Sequence, residues 1–238
     1  MILRIYRWSP EAPAERFDSY PVAAAEGTTV LDALVRLREG AAPDLAFRYA
    51  CRVGMCGSCA VVVDGRERWA CRTRLRAVAR PDATVTLRPL YHFPLIRDLV
   101  VDMAPFAEKM KQVGAAFLPR EPEARAPAAI PADSLERRTI DPTIECIGCG
   151  ACVSACTMVG WDSRFPGPAA LNRALTLVAD RRDAGGTAAR WAALFDEDGV
   201  WRCHGQAQCT AVCPMTLSPA DSILRLRRRA TRSLFLRT

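Results

Sequence analysis

The chain has 238 residues, 50% of them hydrophobic and 25% charged, the composition of an ordinary folded protein long enough for two compact units. No apolar run approaches the roughly 18 residues of a membrane span, and the opening MILRIYRWSP has neither the apolar stretch nor the small-residue cleavage site of a secretory leader. The 33 basic residues, nearly all arginine, leave a net charge of +7, but no aromatic-interleaved basic motif accompanies them, so no nucleic-acid partner is expected. The charge reads instead as solubility plus a protein partner or an anionic lipid surface.

In chain order, LRIYRW (3–8) alternates weakly, as an edge or half-buried strand would. TTVLDALVRLREG (28–40) predicts a helix with Thr28 or Thr29 as N-cap, Val30, Leu31, Leu34 and Val35 on one face, and Gly40 as its stop. AVVVDGRERWAC (60–71) is a β-branched run followed by Asp64-Gly65, a strong hairpin signal. TVTLRPL (84–90) supplies one more strand, and a small mixed sheet packed by one helix follows. After Pro89 the character changes. PFAEKMKQVGAAFL (105–118) is helical, and PREPEARAPAAIPADS (119–134) is a Pro/Ala-rich connection. Further helices are expected in GPAALNRALTLVADRRDAGG (167–186) and in SPADSILRLRRRATR (218–232), where Ser218 caps, Pro219 opens and Asp221 completes a capping box. The expected class is α+β, with a sheet-containing domain over 1–100 and a helical domain over 101–238.

Eleven cysteines dominate the chemistry. In the reducing cytoplasm expected for this chain disulfides are disfavoured, and an odd count leaves one thiol over. They fall in groups, at 51, 56, 59 and 71, at 146, 149, 152 and 156, and at 203, 209 and 213, which points to metal ligation.

CRVGMCGSCA with Cys71 gives C-x4-C-x2-C-x11-C, whose first part is the plant-type [2Fe–2S] spacing. Three thiolates on one tight loop converge on two irons, Gly54 and Gly57 let backbone lie close, and Cys71 arrives from the hairpin. Four thiolates also suit structural zinc, although zinc sites usually pair their ligands as two short knuckles.

ECIGCGACVSACT gives C-x2-C-x2-C-x3-C at 146, 149, 152 and 156, a run whose fourth cysteine ligates the other cluster in two-cluster ferredoxins. By that crossover Cys146, Cys149, Cys152 and Cys213 hold a [4Fe–4S]. Cys156 then joins Cys203 and Cys209. In RCHGQAQCTAVCP (202–214) the remaining ligand position is Gln206. A neutral amide replaces thiolate poorly on a soft iron–sulfur centre, so three cysteines read as a [3Fe–4S]; the alternative is a [4Fe–4S] with water or the amide on the odd iron. No general base, nucleophile constellation or phosphate-cradling loop appears, so the chain is expected to move electrons rather than make bonds.

These three motifs in this order resemble the iron–sulfur subunit of succinate dehydrogenase and fumarate reductase, as do PLIRDLVVDM (94–103) and GPAAL (167–171). The resemblance covers essentially the whole chain. It implies a β-grasp plant-type ferredoxin domain followed by an all-α, double-cluster domain. Its partners would be a flavoprotein carrying FAD and the dicarboxylate site, and a membrane anchor binding quinone, either ubiquinone or menaquinone. The place implied is peripheral, on the cytoplasmic face of the inner membrane. Electrons would pass singly from FAD through the three clusters to quinone, as in a succinate:quinone oxidoreductase. The alternatives are a quinol:fumarate reductase, or a soluble redox subunit serving another flavoprotein. Residues matching Trp161 and His204 line the quinone site in the succinate dehydrogenase branch; the alternative is a core tryptophan and a backbone-bonded histidine. Two residues depart from the family pattern: Thr157 stands where proline usually follows the cysteine, and Val53 where many members carry Glu. The tail RLRRRATRSLFLRT (225–238), with six arginines, reads as a solvated helix face, or else as a contact for anionic lipid or the anchor.

Overall fold

The structure is a computed structural model and describes residues 1–79, 83–121, 128–184 and 188–235. The chain forms two compact units. The first comprises Met1–Met103 with Ile147–Ala155, the second Ala104–Cys146 with Cys156–Thr238.

The first unit is built on a five-stranded mixed sheet. Strands β1 (Ile2–Ser9) and β2 (Ala12–Pro21) form an antiparallel pair. Helix α1 (Val30–Glu39) follows, then the hairpin β3 (Ala60–Val63) and β4 (Arg66–Trp69), the short helix α2 (Leu75–Val78), and β5 (Thr84–Arg88). The spatial order is β2-β1-β5-β3-β4, with β1 and β5 parallel. A separate two-stranded ribbon joins β6 (Leu95–Arg97) and β7 (Val100–Val101). The LRIYRW segment is thus an interior strand, because β2 covers its outer edge.

Thr29 begins α1 as the sequence predicts. Its hydroxyl accepts from the Asp32 N–H at 3.1 Å while the Asp32 carboxylate accepts from the Thr29 N–H at 2.9 Å. Val30, Leu31, Ala33, Leu34 and Leu37 of this helix are buried, as are Leu3, Ile5, Val62, Val85 and Leu87 of the sheet. The N–H groups of Val30 and Leu31 donate to the carbonyls of Thr73 and Ala70, which fixes the chain on either side of Cys71. Asp64 and Gly65 both take positive φ, 48° and 81°, as a two-residue hairpin turn requires. Buried Arg7 is satisfied by Asp98 at 3.0 Å, Asp18 at 3.1 Å and Tyr20 at 2.9 Å, with Asp44 also paired to it.

The second unit is helical among its described residues. Helix α3 (Ala104–Gln112) is shorter than expected, because Gly114 turns at φ 60° and Arg190 donates to the carbonyls of Gly114 and Ala116, holding that stretch out of a helix. Helix α4 (Leu135–Ile144) carries an internal proline, Pro142. In the 119–134 connection, residues 122–127 lie outside the described residues.

The helix α5 (Ala151–Ser154) belongs to the first unit; α6 (Thr157–Trp161), α7 (Pro168–Ala179), α8 (Ala188–Phe195), a 3-10 turn (Val200–Arg202), α9 (Gln208–Ala211) and α10 (Pro219–Phe235) return to the second. α7 is buried nearly throughout and packs on α4 and α10. Asn172 bridges all three: its amide donates to the Thr143 carbonyl at 3.0 Å, and its oxygen accepts from Ser222 at 2.8 Å. Met158, Phe165, Leu171, Leu175, Leu194, Ile223 and Leu226 form the core, with Cys156 and Cys203 packed at its edge. Among the described residues no helix is long and apolar enough to cross a membrane.

Candidate metal centres

The loop from Cys51 to Cys59 is wound by three left-handed residues, Arg52 (φ 60°), Gly54 (φ 77°) and Gly57 (φ 71°). The winding turns N–H groups onto sulfur. Met55 and Cys56 donate to Cys51 Sγ at 3.2 and 3.3 Å, Cys51 donates to Cys56 Sγ at 3.5 Å, and the Ser58 hydroxyl donates to the same sulfur at 3.3 Å. The Cys51 N–H, followed by the Ser58 hydroxyl, holds the Cys56 thiol down to about 6. Cys59, at the entry to β3, is pushed up to about 12, first by burial and further by the charges of Cys71 and Cys56. These four thiols therefore share one electrostatic neighbourhood.

The two glycines cannot be larger residues. A Cβ on Gly57 would lie 2.7 Å from the Cβ of Cys149, and one on Gly54 would lie 2.9 Å from Arg72 and 3.1 Å from Trp69. Gly150, at φ 81°, opens α5 against Leu90, Phe93 and Met103. Of the thiols that the sequence assigns to the [4Fe–4S], Cys149 and Cys152 are carried by the first unit, and Cys146 and Cys213 by the second.

Cys156, Cys203 and Cys209 all lie in the second unit. Burial raises the Cys156 thiol, with a further contribution from Cys203; burial pushes Cys209 up to about 11, with Cys156 and Cys203 both adding. Cys156, Cys203 and Cys209 are thus within electrostatic reach of one another. Among the described residues no group of three or more His, Cys, Asp or Glu side chains is placed to hold a metal ion. Soft thiol donors, three of them buried, and N–H groups directed at sulfur fit iron–sulfur ligation.

Gln206 sits at the apex of the loop between Cys203 and Cys209, flanked by Gly205 (φ 72°) and Ala207 (φ 57°). Its amide oxygen accepts a hydrogen bond of 2.6 Å from the Thr157 hydroxyl. Thr157, a departure from the family pattern, is therefore partnered with Gln206, the residue that breaks the ferredoxin ligand run. Trp161 is 87% exposed and so fills no core of this chain, and His204 is exposed too.

Sequence reasoning missed Arg227, which was read into a solvated helix face. It is half-buried and donates to the carbonyls of Val200 at 2.8 Å, Trp201 at 3.1 Å and Cys203, so it braces the backbone that carries one thiol. Leu226 and Ala230 of the same helix are buried, and this inner face was the available signal. The tail's last residues, 236–238, lie outside the described residues.

Comparison with known proteins agrees with the chemistry. Residues 2–108 match the 2Fe-2S iron-sulfur cluster binding domain family, and residues 143–217 match the 4Fe-4S dicluster domain family. The chain is 36% identical to the succinate dehydrogenase iron-sulfur subunit of Paracoccus denitrificans, over 92% of this chain and 83% of that protein. It is 33% identical to the fumarate reductase iron-sulfur subunit of Haemophilus influenzae, over 94% and 90%. It is also similar to a chain of the Mycobacterium smegmatis Sdh1 complex in the apo form, with a TM-score of 0.87 and 29% identity over 98% of this chain and 96% of that one. The chain belongs to the family of succinate dehydrogenase and fumarate reductase iron–sulfur subunits, and its role is electron transfer within an oxidoreductase complex.

Proposed function

We propose that the chain is the three-cluster subunit of a succinate:quinone oxidoreductase, taking single electrons from FAD on a flavoprotein partner and delivering them to quinone at a membrane anchor. Cys51, Cys56, Cys59 and Cys71 would hold the [2Fe–2S]; Cys146, Cys149, Cys152 and Cys213, on the spacing of their runs, the [4Fe–4S]; and Cys156, Cys203 and Cys209 the [3Fe–4S]. The clusters supply one-electron carriage, which converts a two-electron flavin oxidation into single steps.

The chain's own residues do the rest. The Cys51 N–H and the Ser58 hydroxyl, both directed at Cys56 Sγ, favour its thiolate, and N–H groups from Met55 and Cys56 point at Cys51 Sγ. The exposed Trp161 offers an indole N–H to a quinone oxygen, and His204 can hold or pass a proton. The subunit would sit peripherally on the cytoplasmic face of the membrane, held there by its anchor. The observation that carries the reading is the third cysteine run, in which Cys203, Cys209 and Cys213 keep the ferredoxin intervals while the remaining ligand position is Gln206.

Iron analysis with low-temperature EPR of the purified complex tests the cluster set, and a complex lacking the oxidised three-iron signal would sink it. Assays against high- and low-potential quinones then separate succinate oxidation from fumarate reduction.

A further inference from the structure

We infer that Thr157 is a specificity-determining residue for cluster type: its hydroxyl engages the Gln206 amide oxygen and so competes with a fourth iron for that oxygen. This rests on the reading of Cys156, Cys203 and Cys209 as a three-iron site.

The argument begins with donor chemistry. Of the two polar atoms in the Gln206 side chain, the nitrogen is a hydrogen-bond donor only, and the oxygen alone carries lone pairs that iron could use. Gln206 stands at the ligand position that a cysteine completes in the full run, so its oxygen is the atom that could hold an extra iron there. In the structure one of that oxygen's two lone pairs accepts from the Thr157 hydroxyl at 2.6 Å, at the short end of the hydroxyl-donor range, and the bond draws the amide toward α6. Thr157 is the first residue of α6, directly after Cys156, so the tether is anchored beside one of the three thiols. The loop is wound around it: Ala207 holds a left-handed φ of 57°, which a non-glycine residue rarely adopts, and Gly205 at 72° completes the turn. A proline at 157 would carry no hydroxyl, and the amide oxygen would then be released.

Uptake of the fourth iron is a defined reaction. One ferrous ion enters and dithionite supplies one electron, taking [3Fe–4S]⁺ to [4Fe–4S]²⁺; an iron–oxygen bond to Gln206 forms and its hydrogen bond from Thr157 is lost. The test incubates the complete purified complex with dithionite and ferrous iron enriched in the Mössbauer isotope, then counts enriched iron at the cluster. Wild type and Thr157→Ser should stay three-iron. Thr157→Val should raise the fourth-iron binding constant about fivefold, which at 1.4 kcal/mol per tenfold is the roughly 1 kcal/mol of one hydrogen bond. Thr157→Val combined with Gln206→Leu should return to wild-type behaviour, because no oxygen remains to bind. Uptake by Thr157→Val no greater than wild type, or equal uptake by the double variant, overturns the inference while leaving the three-iron reading intact. A wild type without the oxidised three-iron EPR signal overturns both.

Discussion

The hydroxyl of Ser154 donates to the carboxylate of Glu67 at 2.7 Å, and both side chains are at least 95% buried. The same hydroxyl accepts from the Tyr91 N–H at 2.9 Å, so one serine joins α5, β4 and the segment after β5. Ser154→Ala strips a buried carboxylate of a donor, which costs about 1–3 kcal/mol. Thermal unfolding of the complex should show it, and a melting curve identical to wild type would mean that this bond is not stabilising.

Cys56 receives hydrogen bonds from the Cys51 N–H and the Ser58 hydroxyl. Cys56→Ser exchanges a soft ligand for a hard one and should remove or distort the [2Fe–2S] signal in EPR. The three-iron signal proposed for Cys156, Cys203 and Cys209, which all lie in the second unit, should persist. Loss of both signals together would show that the two units do not fold around separate ligand sets.

Trp161→Leu removes an indole N–H from a side chain that is 87% exposed. Succinate:quinone turnover should fall about tenfold, the ~1.4 kcal/mol of one well-placed hydrogen bond. Succinate oxidation by an artificial acceptor that draws electrons upstream should barely change. A parallel fall in both activities assigns the tryptophan a structural role.

Arg227→Met keeps the aliphatic stem of the side chain and deletes its bonds to three carbonyls, one of them that of Cys203. The Cys203 backbone should loosen, and the three-iron signal should bleach several-fold faster under a chelator, since local opening costs about 1–2 kcal/mol less. Bleaching at the wild-type rate would show that other contacts hold this backbone.

Gln206→Cys restores the full ligand run and should convert the three-iron site to four-iron, abolishing the oxidised EPR signal. The added thiolate should lower the potential by more than ~60 mV, a tenfold change in a one-electron equilibrium. Quinone reduction should slow accordingly. An unchanged signal in the variant would mean that residue 206 does not face the vacant corner.

Much of this was legible in the sequence because it depends on local spacing. The capping box of Thr29 and Asp32, the turn at Asp64-Gly65 and the start of α10 after Ser218 are each set by residues within three or four positions. β2 was missed because its mostly exposed, charged sequence APAERFDSYP carries no apolar alternation, as suits an edge strand. α4 was missed because Pro142 lies inside it, and α3 ended early at a glycine whose conformation is held by an arginine far along the chain. The 2Fe-2S and 4Fe-4S dicluster domains were readable from the cysteine intervals. The Thr157–Gln206 bond spans 49 positions and the Arg227 brace on Cys203 spans 24, and no periodicity encodes either.

The first unit borrows Ile147–Ala155 from far downstream, and this orders events on the ribosome. When residue 103 has been made, Leu90, Phe93 and Met103 still lack Gly150, and Gly57 still lacks the Cys149 backbone that it will meet. Residues 104 to 155 must be added first, which at 5–20 residues per second takes roughly 3–10 seconds. During that interval the Cys51–Cys59 loop is a nascent chain with thiols already present and one wall missing. Iron delivered then would meet an unfinished cradle, so assembly factors would do best to act after translation of the second cysteine run.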